Sequence, residues 1–176
     1  MSKKVNNVDV EAIERTAAAV AADAAAARLP VELGGEWRFE GSPQFVGEIP
    51  LPTGARVRFE ADFPPALGGG GTAPNPVAYC LWGGVACYAM TFALEAARAG
   101  VELRALRARV ETTVDQRRAL GVADAPPVEH LVWTLAIESD ASDGTIDELK
   151  ALADARCPGV YCITNPIALT TRVERV

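Results

Sequence analysis

Four cysteines carry the reactive chemistry of this chain: Cys80, Cys87, Cys157 and Cys162. A thiolate is a nucleophile, a redox-active group and a metal ligand, so these positions are candidates for catalysis, thiol–disulfide chemistry or metal binding. Cys80 and Cys87 lie seven residues apart in one apolar stretch. On a helix that spacing puts them on one face but about 10 Å apart along the axis. A disulfide requires Cα atoms within about 7 Å, so these two cannot bond to each other in an intact helix, and any partner thiol comes from elsewhere. The cysteine intervals match no common zinc pattern, and His130 is the single histidine. No tetrahedral ligand set is complete, and no metal is expected. His130, at the start of a strand-like run, reads as a surface or packed histidine rather than a base.

The element that must position Cys80 and Cys87 runs from 72 to 100. Pro74 and Pro76 bracket Asn75, a good cap residue, and predict a helix start, while Gly100 can take the left-handed conformation that ends one. Between 77 and 94 no side chain is charged, and a helix apolar all round is either a core helix or a bilayer span. Dilution by Gly83, Gly84 and Thr91, with no flanking Lys or Arg cluster, argues for the core helix. Gly83, Gly84, Ala86 and Ala89 would let a second backbone approach closely. Because the chain offers one other strongly apolar helical segment, 145–156, a second copy is expected to complete the cover, making a homodimer.

Around this helix the chain alternates between helical and extended signals. An alanine-rich segment, 9–28, carries a thin apolar stripe and predicts a surface helix closed by Pro30. Extended pieces at 31–40, 45–49 and 56–62, separated by Gly-Ser-Pro and Pro-Thr-Gly turns, predict an antiparallel meander. The glycine-rich loop before Asn75 lacks the Lys-Ser/Thr pair of a phosphate loop and does not follow the dinucleotide pattern. It reads as a loop over the helix N-terminus. Strands are predicted at 102–115 and at 129–139, the latter with Leu131, Trp133, Leu135 and Ile137 on one face. Thr145 and Glu148 form a capping box for a helix through Arg156 that stops at Cys157-Pro158-Gly159, and 167–173 predicts a last strand. The whole is an α+β fold with antiparallel or mixed sheets, one domain over 1–176: surface helix 1–30, meander 31–62, core helix 75–100, and strands with a helix over 101–176.

The net charge of −6 and the pI near 4.9 come with no basic run, so nucleic acid and anionic membranes are poor partners. No apolar segment of the secretory kind follows Lys3 and Lys4, and a cytoplasmic location is expected. In such a compartment the cysteines are free, catalytic or redox-active rather than permanently paired.

The run N-P-V-A-Y-C-L-W-G-G-V-A-C-Y-A-M-T, then A-A-R-A-G-V-E-L, and later A-R-C-P-G-V-Y-C-I-T-N-P-I, resembles the OsmC and organic hydroperoxide resistance family, in particular a longer OsmC-like subgroup with an N-terminal helix. The resemblance covers about 59 to 176. It implies an intertwined homodimer in which sheets wrap two central helices, with the active site at the subunit interface. It also implies a thiol-dependent reductase of organic hydroperoxides acting in oxidative-stress defence. By position Cys87 matches the peroxidatic cysteine and Cys157 the resolving one, with no bound cofactor and an external dithiol, such as a lipoyl protein, as reductant. The acid that in the family follows Asn-Pro is replaced here by Val77 and Ala78, and no arginine lies between Arg58 and Arg98. Arg58 is the candidate activating cation, with Arg56 and Arg38 behind it. Cys80, Leu81, Trp82, Tyr88 and Phe92 are candidate pocket residues, and Cys162 reads as a packing thiol. The alternative is a non-catalytic relative holding a small lipophilic ligand at the dimer interface.

Overall fold

The computed structural model describes residues 4–175. In chain order its elements are β1 (Lys4–Val5), β2 (Val8–Asp9), α1 (Val10–Ala22), β3 (Glu36–Trp37), β4 (Phe45–Pro50) and β5 (Arg56–Ala61). They continue with α2 (Pro76–Arg98), β6 (Leu103–Glu111), β7 (Val132–Ser139), α3 (Asp143–Arg156) and α4 (Pro158–Thr164). All strand pairs are antiparallel, so the mixed α+β expectation holds. The chain divides into two compact units, residues 12–82 and residues 4–11 with 83–175.

In the first unit, α1 buries no side chain, as its thin apolar stripe requires. It ends earlier than expected because Asp23 accepts a hydrogen bond from the Ala25 amide at 2.9 Å and starts a separate 3-10 turn, an aspartate's usual competition with a continuing helix. The meander forms in the order β3-β4-β5. Pairing of Trp37 with Phe45, Phe45 with Ala61 and Ile49 with Val57 puts the apolar residues on one face. Arg56 and Glu48 pair at 2.7 Å on the other. Gly47 interrupts the apolar face because a Cβ there would lie 2.3 Å from the Gly34 carbonyl oxygen. Of the extended piece expected over 31–40, just Glu36 and Trp37 pair with β4.

The glycine-rich loop of this unit is organised by one buried carboxylate. Asp62, 2% exposed, accepts hydrogen bonds at Oδ2 from the Thr72 amide at 3.0 Å and the Thr72 hydroxyl at 2.8 Å. The Thr72 amide is the largest influence holding its carboxyl below the ordinary value of 3.8. Because the shift is downward, the latch holds at any pH above that value and is lost as pH falls through the lower folded one. Asp62→Ala is therefore expected to speed amide exchange at Gly70 and Thr72 while leaving β7 unchanged. Hydrogen exchange read by mass spectrometry at neutral pH checks this, and unchanged protection of the loop would remove the latch.

Helix α2 begins where the cap signal placed it, with the Ala78 amide donating to Asn75 Oδ1 at 2.9 Å. It ends before Gly100, which has φ +70°. By length and composition α2 would also pass for a bilayer span, but Val85, Tyr88, Phe92, Ala96 and Ala97 are buried against protein. Its other faces are open within one chain, with Trp82 65% and Met90 73% exposed.

In the second unit β6 and β7 form a two-stranded sheet, and alternate residues Trp133, Leu135 and Ile137 pack on a core of Tyr88, Phe92, Ala96, Leu149, Ala153 and Cys157. The β1–β2 hairpin, which local periodicity did not predict, turns through Asn6 and Asn7 at φ 52° and 64°. Asparagine tolerates that conformation. Asn6 also bridges to the start of β6, donating to the Val101 oxygen and accepting from the Leu103 amide, both at 2.8 Å.

Three further expectations need correction. The cap of α3 is Ser142, whose hydroxyl accepts from the Thr145 amide at 3.2 Å, rather than Thr145; the helix starts one turn earlier because Ser142 reaches the free amides first. Cys157-Pro158-Gly159 ends α3, but α4 follows at once, since proline is favourable in a helix's first turn. The strand expected over 167–173 is absent, and Leu169 and Val173 are 85% and 94% exposed. An extended segment becomes a strand through pairing, and no other strand in the described residues pairs with it.

Candidate thiol site

Cys87 and Cys157 are brought together by a break in helix direction. The residue before a proline is pushed out of the helical region, and Cys157, before Pro158, has φ −71° and ψ 119°. Its amide still closes the last turn of α3 on the Ala153 oxygen at 3.0 Å. The side chain lies on α2, and its thiol donates to Cys87 Sγ with the sulfurs 3.7 Å apart. Both thiols are free; Cys157 is buried, 2% exposed, and Cys87 is half-buried.

Glycines make this approach possible. A Cβ on Gly159 would lie 3.2 Å from the Gly84 oxygen, 3.3 Å from Cys87 Cβ and 3.5 Å from Cys157 Sγ, so α4 starts against α2 with no side chain between them. A Cβ on Gly84 would meet the Trp133 ring at 2.7 Å. The small-residue signal at Gly84 thus marks a close contact, whereas a Cβ on Gly83 would meet nothing within 4 Å. Gly84→Ala drives a methyl into a rigid indole and is expected to cost about 1–3 kcal/mol of stability. Urea unfolding checks it; a loss under about 0.5 kcal/mol, the range of an ordinary surface change, would mean that the ring moves freely.

Burial is the main influence on the Cys87 thiol and pushes its pKa up. The Gly159 amide, hydrogen-bonded to the sulfur, works the other way, while the neighbouring thiols of Cys157 and Cys162 add to the rise. The thiol is therefore held protonated at neutral pH, and its reactivity follows the thiolate fraction. Alkylation of Cys87 by iodoacetamide is expected to rise through the alkaline range with a midpoint above 9.0. A midpoint below neutrality, read by peptide mass spectrometry, would require a cation at the sulfur.

The Tyr88 hydroxyl donates to Asp154 Oδ1 at 2.6 Å, and burial followed by this bond pushes the phenol's pKa up. Burial opposes ionisation of Asp154, but the Lys150 ammonium, 2.7 Å from Oδ2, and the Tyr88 hydroxyl outweigh it and hold the carboxyl below its usual range. Beside Tyr88 and Trp133 a recess of about 260 Å³ is lined also by Leu131, Val160, Ile163, Thr164 and the Lys150–Asp154 pair.

Of the residues singled out from sequence, Cys87, Cys157, Tyr88 and Phe92 share the second unit; Phe92, 1% exposed, belongs to the core cluster. Arg58 and Trp82 share the first unit. With Val57, Phe59, Pro74, Ala78 and Tyr79 they line a recess of about 520 Å³, and Arg58 is paired with Glu60 at 2.6 Å. Cys80 is exposed and Leu81 half-buried on the first turns of α2, and Cys162 is exposed on α4. Sequence reasoning missed Gly159, Trp133, Asp154, Lys150 and the Glu95–Arg156 pair. The four-residue interval from Lys150 to Asp154 was a usable helical signal; the others depend on contacts distant in sequence. Among the described residues no group of three or more His, Cys, Asp or Glu side chains could hold a metal ion.

The sequence profile of the OsmC-like proteins matches residues 68–172. None of the curated proteins matches this chain. Among solved structures, the chain is similar to an osmotic stress induced and detoxification response protein from Psychrobacter arcticus 273-4. That match has 15% identity and a TM-score of 0.56, covering 75% of this chain and 88% of that one. It is also similar to an organic hydroperoxide resistance protein OsmC from Legionella pneumophila, with 18% identity and a TM-score of 0.51, covering 77% of this chain and 91% of that one. At these identities the likeness is one of fold.

Proposed function

From its membership of the OsmC-like protein family, to which this chain belongs, we propose that the protein is a thiol-dependent reductase of organic hydroperoxides. The observation that carries the reading is the pair of free sulfurs 3.7 Å apart, Cys87 half-buried and Cys157 behind it. The Cys87 thiolate attacks the terminal oxygen of ROOH, the O–O bond breaks, and the alkoxide takes a proton to leave as ROH. Cys87 is left as sulfenic acid. The Cys157 sulfur attacks it, forming the disulfide and releasing water, and an external dithiol, itself oxidised to a disulfide, restores both thiols. The recess beside Tyr88 and Trp133 offers the organic group an apolar wall.

The protein acts as a homodimer in this reading. The exposed Trp82 and Met90 on α2 and the unpaired segment after Thr164 are the surfaces that a second copy would cover. Light scattering at micromolar concentration tests the assembly, and a monomer would overturn it.

A second reading is supported by the upward shift of the Cys87 thiol: a relative that holds a small lipophilic ligand without turnover. One experiment separates the two. Reduced protein is treated with one equivalent of cumene hydroperoxide and its thiols are mapped by mass spectrometry. The reductase consumes the equivalent and shows a Cys87–Cys157 disulfide. Four free thiols and unconsumed hydroperoxide leave the ligand-binding reading in its place.

A further inference from the structure

We propose that two polar ties between α2 and the last turn of α3, Tyr88 to Asp154 and Glu95 to Arg156, are positioning devices that hold Cys157 ready to close a disulfide on Cys87. The proposal rests on the reading of these two cysteines as the working pair.

The apolar contacts of α3 with α2 are made by Leu149, 2% exposed, and Ala153, 0% exposed, in the cluster that contains Phe92 and Ala96. Such contacts are non-directional; they press the helices together without fixing how far α3 is rotated or slid. The two ties are directional. Tyr88, next to Cys87 in sequence, donates to Asp154 at 2.6 Å, and Arg156, next to Cys157, donates to Glu95 at 2.6 Å. Lys150 holds the other oxygen of Asp154 at 2.7 Å, so the acceptor is itself fixed.

Glu95 is the more telling residue. It is 4% exposed and the first charged side chain on α2, in a position that an apolar residue would fill without desolvating a carboxylate. Arg156 is about half-exposed, so Glu95 is the buried member of the pair, and replacing a buried carboxylate and its partner by apolar groups is often neutral or stabilising. Stability therefore gives no reason for Glu95, whereas a fixed register does. The hydrogen bonds of the two ties are made to carboxylates and not to a sulfur, and both end in the helical turn that delivers Cys157.

Closing the disulfide brings the sulfurs from 3.7 Å to about 2.05 Å. With the backbones tied, rotation about the cysteine side-chain bonds supplies that movement. With the ties cut, α3 samples other registers, and the Cys87 sulfenic acid waits longer for its partner. A second hydroperoxide molecule then oxidises it to sulfinic acid, giving up one oxygen and leaving as its alcohol.

The test uses the full chain and the variants Tyr88→Phe, Glu95→Gln and Arg156→Lys, each with its melting temperature recorded. Tyr88→Phe keeps the ring, removes one hydrogen bond, and is the variant that carries the test if Glu95→Gln does not fold. In glutathione redox buffers, with no hydroperoxide present, Tyr88→Phe and Glu95→Gln are expected to lower the equilibrium constant for the Cys87–Cys157 disulfide by about tenfold each. Arg156→Lys, which keeps the charge, is expected to stay near wild type. After a hydroperoxide titration the first two variants should also show several times more Cys87 sulfinic acid. Wild-type disulfide equilibria in both folded variants would overturn the proposal, as would a wild-type chain that forms no Cys87–Cys157 disulfide in glutathione. A chain that closes the disulfide in glutathione but consumes no hydroperoxide loses the reductase reading alone, and the positioning ties are then judged on the glutathione equilibria.

Discussion

Cys87→Ser should lower hydroperoxide consumption by at least about a thousandfold, because the variant loses the thiolate that attacks the hydroperoxide in the proposed reaction. Cys157→Ser behaves differently. The first turnover proceeds, since Cys87 is intact, but no thiol stands 3.7 Å away to close the disulfide. Cys87 then accumulates as sulfenic acid, trappable by dimedone, and goes on to sulfinic acid with excess peroxide. Cys80→Ser and Cys162→Ser should leave consumption within about twofold of wild type, as both thiols are exposed and outside the Cys87–Cys157 pair. Assays of hydroperoxide loss with a dithiol reductant, alongside intact-mass spectra, measure all four. If Cys87→Ser keeps more than a tenth of the activity, Cys87 is not the nucleophile.

Phe92→Ala should be the most damaging single change to stability, at about 3–5 kcal/mol. Phe92 is 1% exposed and sits among Tyr88, Ala96, Leu149 and Ala153. Its neighbours include two alanines, which cannot rotate into the space, so the cavity stays open and the transfer and cavity terms add. The midpoint of urea unfolding should fall while the slope against denaturant is kept, since the surface exposed on unfolding hardly changes. A loss below about 1 kcal/mol would mean that α2 and α3 collapse onto the void. The same void lies between the helices that carry the two cysteines, so the disulfide equilibrium should weaken in parallel.

Local chemistry determined much of the scaffold. Asn75 caps α2 and Gly100 follows its end at positive φ, because cap and left-handed residues act within one turn of where they stand. The alternation of Val57, Phe59 and Ala61, and of Trp133, Leu135 and Ile137, placed β5 and β7, because side-chain direction repeats every second residue. Where two local signals competed, the outcome was read less well. Ser142 lies three residues before Thr145 and took the cap, and Pro158 both ended one helix and opened the next.

The thiol pair was legible in part. Their intervals showed that Cys80 and Cys87 could not bond to each other, and family likeness pointed to Cys87 and Cys157. The distance between those two, and the identity of Gly159, Trp133, Asp154 and Glu95 as their surroundings, came from the tertiary structure. Cys87 and Cys157 are separated by 70 residues, and Glu95 and Arg156 by 61. Such pairs meet when α3 packs on α2, and the burial that drives this packing is proportional to area and indifferent to which side chains touch. An apolar stripe therefore says that a helix will be covered, whereas the directional contacts made once it is covered decide which sulfur faces which.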